Sequence, residues 1–285
     1  MNGNDLKRLL AQAEKGGYAL NAFNCTDVWD VSAIISAAEE LNAPVMIAIH
    51  QENFSQLPLE VYGVFVQHMA GAAKVPVILH LDHCTDAALC KAAVDCGFPS
   101  IMLDASFRPL EENIAAVRDV VDYAHARGSV VEGEIGRIKG QGYEGGYNGE
   151  GYLAQVEDCV RIVAETGVDT LAVGIGTAHG YYEGQPCLSF DRLAEIHRAV
   201  DIPLVLHGGS GISDADFRRA IELGIVKVNI ATASFNSLTR HAEAYLHTDG
   251  SHNYFSLNEA MVQGTYENVR HHIRVFNCKE DLGQI

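Results

Sequence analysis

The sequence predicts an α/β fold: a closed (β/α)8 TIM barrel with a capping helix before it and extra helices after it. Three observations carry this. Short β-rich apolar runs alternate with longer helical patterns along the chain, the pattern of parallel βα units. There are eight such runs, the number that closes a barrel. The chain has 285 residues, and a barrel of this type takes about 250. A composition of 48% apolar and 20% charged residues suits a packed core and argues against disorder.

Taken in order, a helix over residues 5–15 is expected to close the bottom of the barrel. The strands are read at 18–24, 44–50, 76–83, 100–106, 129–136, 170–176, 203–208 and 225–232. Helical patterns lie at 28–41, 86–96, 110–127, 155–166, 190–200 and 214–223. Two more helices, near 234–246 and 257–276, make residues 233–285 a helical extension of a single barrel domain spanning 1–285. Gly97, Gly128, Gly167 and Gly224 each follow a helical pattern, as helix C-terminal glycines do. Pro44, Pro76 and Pro203 open strands, where a missing N–H costs little. Residues 137–151, RIKGQGYEGGYNGEG, are too long and glycine-rich for an ordinary βα loop and read as a functional lid.

The net charge of −17 argues against nucleic acid and anionic membrane as partners. An anionic substrate needs strong local attraction from a metal, an arginine or a helix N-terminus. No apolar run approaches the length of a membrane span. The opening MNGNDLKRLL lacks the apolar core of a signal peptide. Seven cysteines, an odd number without a CxxC pair, read as reduced thiols in a cytoplasmic protein.

Active sites of such barrels lie at the C-terminal ends of the strands. Read in turn, those ends supply Asn24, then His80, Asp82 and His83, Asp104, Glu132 and Glu134, His179, His207 with Ser210, and Asn229. Zinc in a catalytic site takes three protein ligands and keeps a fourth position open. His83, His179 and His207 sit at separate strand ends and suit that role. Any one of them reads equally well as a hydrogen-bonded structural residue; the joint placement is what points to metal. His197, His241, His247, His252, His271 and His272 read as surface or packing residues. Side chains alternate along a strand, so Asp82 and His83 both serve the site only if His83 sits on the turn. HGGSG at 207–211 and NIAT at 229–232 follow strands 7 and 8, the usual phosphate cradle of these barrels. Gly208, Gly209 and Gly211 let backbone N–H groups approach an anion, Ser210 adds a hydroxyl, and a helix N-terminus follows.

Six motifs recur in consistent order from about Asp5 to Thr232: FN at 23–24, HLDH at 80–83, EGEIG at 132–136, GTAHG at 176–180, HGGSG at 207–211 and KVNIAT at 227–232. In these the chain resembles the class II, metal-dependent ketose-bisphosphate aldolases, which include fructose- and tagatose-bisphosphate aldolases. The resemblance implies a lyase that cleaves a ketose phosphate or bisphosphate to dihydroxyacetone phosphate and an aldehyde. It implies zinc on His83, His179 and His207, with Asp82 handling the hydroxyl proton at the cleaved bond. Glu134 and Asp104 correspond to acidic residues beside the metal. Glu144 corresponds to a mobile glutamate that takes the carbon-bound proton. Asn24, Gly180, Gly208, Gly209, Ser210, Asn229, Ile230, Ala231 and Thr232 are expected to bind substrate. A monovalent cation, Na+ or K+, near Gly180 and Gly208 and a homodimer or homotetramer are implied as well.

The residues fit this chemistry. Cleavage leaves a carbanion beside a ketone, which a metal at the ketone oxygen stabilises as a Lewis acid, while carboxylates move the protons. The alternative electron sink is a Schiff-base lysine; Lys227 is the candidate, but it sits early in strand 8. A metal-dependent hydrolase on the same barrel and a non-catalytic sugar-phosphate-binding paralogue are the competing readings. The chain also departs from its relatives. An Asp-Pro-Arg-like segment, whose arginine binds the far phosphate, is replaced by GSHNYF at 250–255. His50-Gln51-Glu52 stands where small or hydroxyl residues are common, Ala231 is tagatose-like, and the loop GQGYEGG lacks paired acids. These departures lead us to expect a donor that remains dihydroxyacetone phosphate and an aldehyde other than glyceraldehyde 3-phosphate.

Overall fold

A computed structural model of the protein describes residues 1–140, 151–180, 182, 184 and 186–277. Eight parallel strands close into a barrel. They are β1 Leu20–Asn24, β2 Val45–His50, β3 Val77–Cys84, β4 Ser100–Leu103, β5 Val130–Ile135, β6 Thr170–Val173, β7 Leu204–Leu206 and β8 Ile225–Ile230. Their order around the barrel is sequential, and β8 pairs with β1 to close it. The helices that follow the strands are α2 Val28–Glu40, α3 Leu59–Ala72, α4 Ala87–Asp95, α5 Leu110–His125, α6 Val156–Thr166, α7 Phe190–Ala199, α8 Asp214–Glu222 and α9 Thr232–Leu246. α1 Gly3–Gly16 precedes the barrel and α10 Tyr254–Phe276 ends the described chain.

Local chemistry explains the boundaries. Asp27, Asp86, Ser213 and Asn253 each accept a backbone N–H of the helix that follows, satisfying donors that a helix start leaves open. The four glycines read as helix stops all have positive φ. Pro44, Pro76 and Pro203 each stand one residue before their strand, and the carbonyls of Pro76 and Pro203 accept from Val45 and Leu171 of the neighbouring strands.

α1 closes the bottom as expected. Leu6, Leu10 and Ala13 pack with Leu20, Ala22, Met46, Ile78, Val130 and Val226. Gly3 donates to Gly128 O at 3.2 Å, an approach that leaves no room for a Cβ. Outward strand residues such as Ile47, Leu79, Leu81, Ile101 and Val131 join the main core under the helices. With both faces of each strand covered, apolar side chains fill the wall, and polar ones collect inside the barrel toward its top.

Several boundaries differ from the sequence reading. β4, β6 and β7 end two or three residues early, and the residues beyond them form the mouth. α9 already begins at Thr232 and α10 at Tyr254. α3 and a 3-10 turn at Gln51–Ser55 carry no clear periodicity. In α3 the apolar pattern is blurred because Val61 and Val64 face outward. Within 137–151, Lys139–Gly140 pairs in parallel with Ala178–His179, and Glu144 lies outside the described residues. No helix among the described residues is long and apolar enough to cross a membrane.

Candidate active site and metal centre

His83 is placed by a defect in β3. Between Leu81 and Cys84 the strand advances three residues while β4 advances two, which is the extra residue of a β-bulge. His83 takes it up with φ +44°, a left-handed conformation that costs a non-glycine residue about 1–2 kcal/mol. The bulge breaks the alternation. Asp82 keeps its inward direction and His83 turns into the mouth beside it, so the condition set by the sequence is met by a bulge inside the strand.

The three histidines converge. Ring centroids of His83 and His207 lie 4.4 Å apart, and those of His83 and His179 4.6 Å apart. One ring nitrogen of each lies within 4.8 Å of the others. His207 Nδ1 and His83 Nε2 face each other at 2.7 Å. His179 is buried, and both its ring nitrogens are without a hydrogen-bond partner. A buried imidazole with neither nitrogen satisfied is costly. A cation bound by neutral nitrogens removes that cost, so the donor set fits a three-histidine metal centre. Burial and then the charge of His83 hold the His179 imidazole well below its usual range, so it is neutral, as a ligand must be.

Carboxylates surround this cluster. Asp104, just beyond β4, is 3.2 Å from His83 Nδ1 and accepts from Ser106 N and Oγ. Burial opposes its charge, but the hydrogen bond and charge of His83 outweigh that and bring it to about 2. Glu134 shows the opposite balance: burial and then repulsion from Asp104 push it well up, and its Oε2 has no partner. His83, Asp104 and Glu134 form a second group able to hold a cation, sharing His83 with the first. For His83, burial disfavours the charge, yet Asp82 and then the Asp104 hydrogen bond raise it to about 10.

Asp82 is clamped from two sides. Asn24 Nδ2 donates to one carboxylate oxygen and Asn229 Nδ2 to the other, both at 2.8 Å. Burial works against its charge, but His83 and then His207 keep the carboxyl well below the usual range. Asn24, Asp82, Gly208, Asn229, Ala231 and the three histidines line a small space of about 10 Å3, roughly that of one water.

Beside it opens a cavity of about 630 Å3 lined by Gly180, Ser210, Gly211, Thr232 and Ala233 at one end, and by Asn236, Thr239, Arg240 and Asn268 along α9 and α10. No side chain caps α9 at Ala231; Ser210 Oγ accepts from Ala233 N at 2.9 Å. Gly208 has φ +67°, and a Cβ there would lie 2.5 Å from Ala178 O. Gly209 packs against Ile230 and Asn229. Ile230 faces the core, so only its backbone borders the mouth.

The structure thus gathers the described residues expected to hold the metal, move protons or bind substrate around one mouth, except the Ile230 side chain. The sequence names Glu132, Lys227 and His80 but assigns none of them a part in the histidine cluster, below which the structure places all three. Glu132 accepts from His207 Nε2 at 2.7 Å and from Lys227 Nζ at 2.8 Å, and Lys227 is also 3.4 Å from His80 Nε2. Lys227 is buried and turned toward these partners. The period-two signal was available: His80 is two residues from Asp82, Glu132 two from Glu134, and Lys227 two from Asn229. Arg240 was also missed, because nothing in sequence separates it from other helix-surface arginines.

Fold and mouth define a TIM barrel whose strand ends gather buried histidines and carboxylates able to hold a cation. The comparisons give the family. The family model for class II fructose-bisphosphate aldolase matches residues 4–281. A 6-phospho-5-dehydro-2-deoxy-D-gluconate aldolase from Shouchella clausii is 44% identical over 232 residues, covering 79% of this chain and 77% of its own. A fructose-bisphosphate aldolase from Geobacillus stearothermophilus is 39% identical over 250 residues, 86% of each chain. The crystal structure of the YdjI aldolase from Escherichia coli K12 superposes with a TM-score of 0.84 at 31% identity, covering 95% and 96% of the two chains. The chain belongs to the class II fructose-bisphosphate aldolase family, and it is an aldolase, a carbon–carbon lyase.

Proposed function

We propose that the enzyme is a zinc-dependent aldolase that cleaves a ketose monophosphate, with the phosphate next to the ketone, into dihydroxyacetone phosphate and an unphosphorylated aldehyde. The observation that carries this reading is the doubly clamped Asp82 beside three converging histidines, one with both ring nitrogens unpartnered. His83, His179 and His207 hold the metal, which supplies Lewis acidity at the ketone oxygen when bound.

The protein's own groups do the rest. Asp82, ionised and fixed by Asn24 and Asn229, takes the proton of the hydroxyl at the bond being cleaved. The donor phosphate sits against Gly180, Gly208, Gly209, Ser210 and the backbone of Asn229 to Thr232. The N-terminus of α9, whose Ala233 N donates to Ser210 Oγ, favours negative charge there. Among the described residues that line this cavity, Arg240 is the one cationic side chain and Glu243 the one acidic side chain, and Arg240 is assigned to the donor phosphate. Backbone carbonyls by Gly180 and Gly208 suit a monovalent cation. Glu144 is assigned the proton at carbon. The enzyme is assigned to the cytoplasm as a homodimer or homotetramer, which sedimentation of the purified protein tests.

Two features support an unphosphorylated aldehyde. In the 250–255 segment, Asn253 caps α10 through Ser256 N, Tyr254 and Phe255 are exposed, and no arginine or lysine is present. The Shouchella relative's name describes a keto-acid with one phosphate, adjacent to the ketone. Steady-state cleavage of fructose and tagatose 1-phosphates, their 1,6-bisphosphates and 6-phospho-5-dehydro-2-deoxy-D-gluconate tests the reading. A monophosphate is expected to give the highest kcat/KM. A bisphosphate preferred by orders of magnitude overturns it.

A further inference from the structure

The interior layers of such barrels are ordinarily filled by Val, Ile and Leu. Here five buried residues in the barrel interior are polar: His80, Ser100, Glu132, Thr170 and Lys227. Their hydrogen bonds link the five residues to one another and to His207. Ser100 Oγ and His80 Nδ1 are 2.8 Å apart, and His80 Nε2 backs Lys227 Nζ. Lys227 Nζ and Thr170 Oγ1 donate to Glu132 Oε2 at 2.8 and 3.2 Å. The other carboxylate oxygen accepts the His207 Nε2 proton at 2.7 Å. The chain ends at a histidine of the metal centre.

A buried ion pair is a poor source of stability, because replacing both partners by apolar residues is commonly neutral or favourable. What this pair does instead is fix one imidazole. With Nε2 donating to Glu132, the hydrogen of neutral His207 is on Nε2, and the Nδ1 lone pair points into the mouth toward His83. Lys227 and Thr170 occupy the second oxygen of Glu132, so the carboxylate cannot turn away. We propose that Glu132 and Lys227 form a positioning pair that presents His207 Nδ1 to the metal and so sets metal affinity. This rests on the metal-centre reading above. Lys227 is a positioning residue with its amine enclosed between Glu132 and His80, not a Schiff-base nucleophile.

The test is zinc affinity, measured by competition with a chromophoric chelator on wild type, the double variant Glu132→Gln/Lys227→Met, and Glu132→Asp. The double variant removes both charges at nearly constant volume, so no buried charge is left unpaired. Glu132→Asp keeps the charge and shortens its reach, and serves if the double variant does not fold. Each folded variant is expected to show a zinc dissociation constant raised 10- to 100-fold, the usual effect of losing such a partner. Lys227→Arg is expected to stay nearest to wild type, and Co2+ loaded into the weakened variants to show an altered visible spectrum. A folded variant that binds zinc as tightly as wild type overturns the proposal and makes the pair purely structural. Wild type that takes up no zinc, or takes it up equally in His179→Ala, overturns the metal reading itself.

Discussion

His83 Nε2 and His207 Nδ1 lie 2.7 Å apart at the top of the barrel, so in the metal-free protein a proton stands between the two nitrogens that the proposed metal needs. His83 holds it, raised to about 10 by Asp82 and Asp104 against the cost of burial. Metal and proton therefore compete. Calorimetric titration of zinc at pH 7–8 in buffers of different ionisation enthalpy is expected to show about one proton released per metal. Affinity is expected to fall about tenfold per pH unit below pH 10. The charged His83 also stabilises the metal-free fold. That contribution is complete below pH 6.5 and is lost as pH rises through about 10. A metal-free enzyme whose stability does not decline over that range contradicts the assignment.

His179 differs from the other two proposed ligands in having no partner at either ring nitrogen. His179→Ala is expected to lower metal occupancy and turnover by at least two orders of magnitude while leaving the melting temperature of the metal-free protein unchanged or raised. Removing an unsatisfied buried imidazole relieves a penalty instead of breaking a contact. A lower melting temperature of the metal-free variant would show that the ring is structural.

The fold was legible from the sequence because apolar periodicity, strand-opening prolines and helix-ending glycines reported the same parse. The three clustered histidines and Asp82 were legible as polar residues at strand ends. Three things were not. The placement of His83 depends on a bulge, and register against β4 cannot be read from β3 alone. Glu132 and Lys227 lie one interior layer below the mouth, where a barrel normally carries aliphatic residues; a lysine early in a strand reads as remote until the barrel closes around it. Arg240 enters the cavity only because α9 lies along the Ser210 turn, a tertiary fact.

Asp82 and its amides separate chemistry from binding. Asp82→Ala is expected to reduce kcat about 10²- to 10⁴-fold, the usual share of a general base, with zinc content unchanged. Asn24→Ala leaves one of two hydrogen bonds on the carboxylate and is expected to cost about tenfold in kcat with little change in KM. Equal losses of zinc and activity in Asp82→Ala would move Asp82 into the ligand set.

The donor-phosphate end predicts the reverse pattern. Ser210→Ala and Arg240→Ala are expected to raise KM for the phosphorylated donor, and the inhibition constant of inorganic phosphate, about 5- to 50-fold each, with kcat within a factor of three. Arg240→Lys keeps the charge and is expected to recover much of the loss. No change in phosphate inhibition for both alanine variants would place the donor phosphate elsewhere.

Gly208 ties the proposed phosphate cradle to the proposed metal centre. Its φ of +67° costs a side chain about 1–2 kcal/mol, and a Cβ would press on the backbone of Ala178, whose next residue is His179. Tyr182 OH couples the same turns, donating to Gly208 O at 2.7 Å and accepting from Ala178 N at 2.8 Å. Gly208→Ala therefore strains one turn and displaces the neighbouring strand together with a proposed metal ligand. The expected result is a melting temperature lower by several degrees, with weaker zinc binding and a higher KM for the donor in the same variant. Tyr182→Phe keeps the backbone conformations but breaks both hydrogen bonds, and it is expected to weaken zinc and donor binding together by a smaller factor. If Gly208→Ala lowers stability and leaves zinc affinity untouched, the two turns are mechanically independent.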